Sequence, residues 1–123
     1  MRHVAALRGA TTVEQDTREQ VHARSQELVA ELLRRNDLEP EDVISLVFTA
    51  TEDITSEFPA SAVRAAGIHD VPMLCARELA IDGDSAVPRC IRVLAHVHTT
   101  RARAELIHPY LHDARRLRRD LAS

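Results

Sequence analysis

The chain has no lysine and no tryptophan, and its aromatic rings are three: Phe48, Phe58 and Tyr110. So few rings leave little for bases to stack on, and a net charge of −3 offers no basic field to a phosphate backbone. Nucleic acid is therefore not an expected partner. The two cysteines, Cys75 and Cys90, form no CxxC pair and no metal-like spacing, which fits a reducing compartment. No apolar run approaches the ~20 residues of a membrane span. No basic segment leads into the ~7–15 apolar residues of a secretory leader. The expected location is the cytoplasm, away from membranes. A length of 123 residues supports one domain, 1–123, with a real core but no room for two.

What is present alternates between strand and helix patterns. Residues 2–8 alternate as a strand that "GATT" is expected to end. Asp16–Thr17 offers an N-cap to a helix running to about Asn36, with Val21, Leu28, Val29, Leu32 and Leu33 on one face and Glu27 and Glu31 on the solvated side. Asn36 and Pro40 stop it. "DVISLVFTAT" (42–51) reads as a strand covered on both faces. "PASAVRAAG" (59–67) reads as a short helix with proline first and glycine past its end. Strands are expected over 71–78 and 89–99, joined by the turn-rich "DGDSAVP". Beyond Arg101 the periodicity permits a helix from Ala102 to Leu121, which Pro109 must break or kink.

The predicted order is β-α-β-α-β-β-(α), a single-domain mixed α/β fold. Several strands look buried on both faces while only one long helix is available to cover them. Other subunits are expected to supply the missing cover.

Two arginines interrupt this pattern. Arg8 closes an N-terminal strand and Arg92 stands inside "CIRVLAHVH", where a guanidinium is not expected to reach water easily. A buried arginine is costly unless an anion or a set of acceptors meets it. Its planar fork suits a carboxylate or a phosphate, and with no Gly-rich phosphate loop in the chain carboxylate is the better expectation. Glu78, at the end of "VPMLCARE", is a candidate partner for an arginine or acceptor for a substrate hydroxyl. Cys75 has no base near it in sequence to make it a nucleophile. His96 with His98, and His108 with His112, lack an acidic or cysteine companion at metal-ligand spacing, so no metal site is expected. The run "RRLRR" (115–119) reads as a solvated tail.

The motifs "RGATTVEQDT" (8–17), "LEPEDV", "FTATEDITSEFPASAVR", "VPMLCARELAIDG", "CIRVL", Tyr110 and "LRRDL" (117–121) follow one another along nearly the whole chain. In this order they resemble the trimeric α/β class of chorismate mutase, a pseudo-α/β-barrel homotrimer with sites between subunits. The resemblance implies the cofactor-free Claisen rearrangement of chorismate to prephenate in phenylalanine and tyrosine biosynthesis. It implies that Arg8 and the Tyr110 hydroxyl hold the enolpyruvyl carboxylate, that Arg92 reaches that carboxylate and the ether oxygen, and that Glu78 accepts the ring hydroxyl beside the Cys75 backbone. Phe58, Ala60, Met73 and Leu74 match wall positions, Ser61 and Arg64 fall among the substrate-binding positions of the same motif, and Leu117 and Arg118 match a mobile C-terminal flap within residues 115–123. It also implies a short helix ending near Tyr110. Ser61 stands where the family commonly has lysine, Leu74 where it has threonine, and Arg119 where it has proline. A rival reading is a trimeric imine-deaminating or small-carboxylate-binding module, which would not need Arg92 in addition to Arg8 and Glu78.

Overall fold

The structure, a computed structural model, describes residues 1–81 and 86–117. Four strands, β1 (His3–Thr12), β2 (Val43–Ala50), β3 (Met73–Arg77) and β4 (Cys90–Thr99), form one sheet in the order β1-β4-β2-β3. β4 runs antiparallel to both β1 and β2, and β2 runs parallel to β3. A long helix α1 (Arg18–Arg35) follows β1, and a short one, α2 (Pro59–Ala65), joins β2 to β3. This is the expected mixed α/β class. No helix among the described residues is long and apolar enough to cross a membrane.

Helix α1 begins where the Thr17 side chain accepts from the Gln20 N–H, satisfying one of the donors a helix start leaves open. Its five expected apolar residues are all buried, with Ser25 between them. They meet the sheet face formed by Leu7, Leu46, Phe48, Ile91, Val93, Ala95 and Val97, each nearly inaccessible to water. α2 starts at Pro59 and ends before Gly67, whose φ of 104° is the left-handed conformation glycine adopts without a Cβ penalty.

Strand β1 does not end at "GATT". It continues through Thr12, because its outer edge is paired: the Ala10 N–H donates to the Pro109 carbonyl and the Leu111 N–H donates to the Ala10 carbonyl. The same pairing accounts for the C-terminal segment. Among the described residues no α-helix forms there. The chain makes two short 3-10 turns, Arg103–Glu105 and His112–Leu117, with an extended stretch between them that carries Pro109 and Tyr110 along β1. The short helix near Tyr110 is likewise absent, since the first turn ends five residues earlier. Gly9 permits the close approach, as a Cβ there would sit 3.0 Å from the Pro109 carbonyl oxygen.

Within one chain the sheet is covered on one face, as the shortage of helices led one to expect. Within the chain, α1 and α2 cover one face, and β3 is exposed along nearly its whole length. The uncovered face carries Val4, Arg8, Arg92, Leu94, His96 and His98 at alternate positions, with the half-buried Val47 and Thr49 between them.

Asn36 does more than stop α1. It is buried, and its amide nitrogen donates to the Leu32 and Ile107 carbonyls, both at 2.8 Å, while its oxygen accepts from the Ile107 N–H at 2.8 Å. Asn36 thus fastens the C-terminal segment to the end of the helix. Asn36→Ala should destabilise the fold by about 2–4 kcal/mol, because it leaves both polar groups of Ile107 without a partner. Urea unfolding of the two proteins checks this, and a loss below about 1 kcal/mol would sink the assigned role.

Candidate active site

Strand alternation decides where the two arginines go. Ile91, Val93, Ala95 and Val97 point toward the helices, so Arg92, between Ile91 and Val93, points to the uncovered face. Arg92 lies opposite Thr49 on β2 and Ala10 on β1. Arg8 lies on the same face, opposite Leu94. Neither arginine is buried within the chain: the Arg92 side chain is 41% exposed and Arg8 is exposed. Among the described residues no helix of the same chain lies over this face, so the chain alone does not shield them.

Glu78 follows β3 directly, and its N–H donates to the Ala50 carbonyl, carrying the parallel ladder one step further. Its carboxylate meets Arg92. Nη2 donates to Oε2 at 3.2 Å and Nε lies 2.7 Å from Oε1. The second contact is close enough for an ion pair but misaligned for a hydrogen bond. The Arg92 Nε–H is therefore buried with no acceptor among the described residues, although its charge is balanced. Thr49 Oγ1 donates to Glu78 Oε1 at 3.4 Å, a weak contact. Together they line a cleft of about 730 Å³ whose wall also includes Thr51, Asp53 and Arg77.

The loop after β2 is held against this cleft. The Thr51 N–H donates to the Cys90 carbonyl, and the Cys90 N–H donates to Thr51 Oγ1, which itself donates to Asp53 Oδ1. Asp53 Oδ2 accepts from the Arg89 N–H at 2.9 Å. Arg77 Nη1 donates to the Thr51 and Ile54 carbonyls. Sequence reasoning missed Thr49, Thr51, Asp53 and Arg77. The short spacing of "TED" is a turn signal, but only the register reveals that Thr49 sits beside Arg92.

The other expected site residues lie elsewhere. Arg8 lines a separate cavity of about 610 Å³ with Leu94, His96, Arg103 and His108, and its N–H donates to His108 Nδ1 at 3.0 Å. Tyr110 is buried against Ala10, Val87, Cys90 and Ala114, with Leu117 packed at the margin. Phe58 is 65% exposed at the N-cap of α2. Ala60 faces the core, Ser61 is half-buried and Arg64 is exposed. Met73 packs against the core, whereas Leu74 and Cys75 are exposed on β3. Arg118 and most of the "LRRDL" tail fall outside the described residues. The histidines disperse: His96 meets Ser45 Oγ and His112 meets Glu27.

The chain matches the chorismate mutase type I family over residues 4–121. The chain belongs to the chorismate mutase type I family. It is 46% identical over 121 residues to the chorismate mutase AroH of Thermus thermophilus, covering 98% of each sequence. It is 37% identical over 120 residues to the chorismate mutase AroH of Bacillus subtilis (strain 168), covering 97% of this chain and 93% of the relative. A solved chorismate mutase from Clostridium thermocellum superposes with a TM-score of 0.84 at 39% identity, covering 90% of this chain and 97% of that one. The rival deaminase-like reading is thereby set aside, and the protein is a chorismate mutase.

Cys90 opens β4 and is fully buried against Ala10, Val87, Tyr110 and Ala114. Burial pushes its thiol up to about 12; Arg92 opposes that rise while Glu78 and Asp53 add to it. The nucleophilic species is the thiolate, so Cys90 should resist iodoacetamide at pH 8 in the native protein and react once denatured. Peptide mass spectrometry after a timed quench distinguishes the two states. Modification of native Cys90 at the rate of a free thiol would contradict this account of its surroundings.

Proposed function

We propose that this chorismate mutase turns chorismate into prephenate at the Arg92–Glu78 cleft, by restraint of the substrate and stabilisation of its breaking bond. The reading rests chiefly on one observation: a sheet-mounted guanidinium, 41% exposed and ion-paired with Glu78, stands in the wall of the cleft. The rearrangement breaks a C–O bond, and negative charge grows on the ether oxygen as it does so. A fixed donor aimed at that oxygen lowers the barrier without reorganising during the reaction. Glu78, at the same cleft, accepts the ring hydroxyl. Arg8 and Tyr110 hold the enolpyruvyl carboxylate, keeping the flexible substrate in its compact reactive form. Phe58, Ala60, Ser61, Arg64, Met73, Leu74, Cys75, Leu117 and Arg118 complete the binding surface. No proton transfer and no nucleophile are required, and no cofactor enters the scheme. The enzyme works in the cytoplasm, in aromatic amino acid biosynthesis.

Arg8, Phe58 and Leu74 do not line the Arg92 cleft of their own chain. A site containing all of them is therefore completed by a second copy, and we propose a homotrimer with sites between its subunits. Support comes from the uncovered sheet face and from the exposed Val4, Phe58, Leu74 and Leu94, which another subunit would cover. Sedimentation should give three times the chain mass. A compact, fully active monomer at assay concentration would remove the shared site.

Loss of chorismate absorbance on adding the protein reads the activity directly. Arg92→Lys keeps the charge but loses the planar fork, and should lower kcat by about 10²–10³ with a smaller change in KM. Arg8→Lys, touching a carboxylate present throughout, should place more of its damage in KM. If Arg92→Lys folds, assembles and alters KM alone, Arg92 only binds and the proposed mechanism is wrong.

A further inference from the structure

The loop from Thr51 to Phe58 joins the cleft to α2. Its start contributes Glu52 and Asp53 to the cleft wall, and its end sets Phe58 and the first turn of α2. Asp16 grips the middle of this loop from outside. One carboxylate takes four donors: Oδ2 accepts from the N–H and hydroxyl of Thr55, both at 2.9 Å, and Oδ1 from the N–H and hydroxyl of Ser56, at 3.1 and 2.7 Å. Asp16 therefore is not the N-cap of α1, a role Thr17 fills.

Three more polar side chains continue the attachment along α1. Arg18, His22 and Gln26 recur every four residues and so share one ridge of the helix. Arg18 Nε and His22 Nε2 each lie 3.1 Å from Glu57 Oε2, while Glu57 Oε1 accepts from the Phe58 N–H at 2.8 Å. Gln26 Nε2 donates to the Ala62 carbonyl at 2.9 Å, within α2. The ridge thus meets the loop and α2 at successive points, and Asp16 stands at its head. A helix that only needed a solvated face would not place three polar side chains against one neighbouring segment.

We infer that Asp16 is a positioning residue for the reaction, fixing the Thr51–Phe58 loop and the start of α2 where chorismate binds. This rests on the reading above that Phe58 and α2 form a wall of the substrate site. The Ser56 hydroxyl, with further donors from Thr55 and Ser56, holds the Asp16 carboxyl down to about 2, against the opposing effect of burial. A carboxyl lowered on folding contributes its stabilisation above its ordinary value of 3.8 and loses it as pH falls through about 2. The grip therefore holds throughout the range in which enzymes are assayed.

A displaced wall weakens contacts made equally by substrate and transition state, so the damage should appear in KM. In the intact assembly, Asp16→Ala should raise the KM for chorismate by about five- to twentyfold with kcat within about twofold of the parent. Asp16→Asn, keeping one carbonyl oxygen as acceptor, should recover part of that loss. A variant that lowers the melting temperature yet leaves KM within twofold, assayed well below its melting point, overturns the inference; so does a fall in kcat alone. Should Asp16→Ala not fold, Thr55→Val with Ser56→Ala removes two of the four donors and leaves the carboxylate. A smaller rise in KM is then expected, and an unchanged KM again overturns the assignment. Absence of chorismate turnover by the parent protein would instead overturn the functional reading beneath it.

Discussion

A four-stranded sheet with helices on one face divides its strands by parity, and the site follows from that division. Along β4, odd-numbered residues from Ile91 to Val97 fill the core and even-numbered ones from Arg92 to His98 stand on the other face. Along β1 the same rule buries Leu7 and leaves Arg8 outside. The antiparallel pairing of β4 with β2 then brings Thr49 beside Arg92, and the parallel ladder from β2 to β3 delivers Glu78 to the guanidinium. No loop has to search for this geometry. It is fixed by the pairing that forms the core.

The same division explains why a chain with a sound core still presents Val4, Leu74 and Leu94 to water. The core on the helix side is closed by Phe48, Leu28, Leu32 and their neighbours. The other face mixes apolar residues with arginine and histidine, a composition suited to partial burial and to holding a charged ligand at once. An arginine there is reachable by substrate while still lying beside low-dielectric walls, where its interaction with a developing charge is stronger than in bulk water.

Much of this was legible in the sequence. Periodicity located α1 and the residues it buries, and the proline and glycine of "PASAVRAAG" bounded α2. The alternation of "CIRVLAHV" identified β4 and singled out Arg92. What escaped detection was set by contacts between distant residues. "GATT" carries local turn signals, yet the strap from Pro109 to Leu111 supplies β1 with hydrogen-bond partners about a hundred residues away and keeps it extended. The C-terminal periodicity favoured a helix, but Asn36 and β1 compete for the same backbone groups and win. Arg92 and Arg8 looked alike in sequence, and the register alone separates them into two cavities. The family motifs named these residues without showing how one chain divides them.

Register links stability to chemistry here. A one-residue slip of β4 against β2 would turn Arg92 toward Phe48 and Leu46, and Ile91 and Val93 toward solvent. An unpaired guanidinium in that core would cost several kcal/mol, more than a small domain can spare from its net stability. A misregistered sheet is therefore excluded by the core before the site could be tested. The middle of the loop that walls the cleft has no such protection: Ile54 is anchored in the core, but Thr55 and Ser56 after it belong to no strand and bury no large side chain. The placement of this stretch comes from explicit polar contacts, and the structure concentrates these on one carboxylate, Asp16, and on the ridge of α1 behind it.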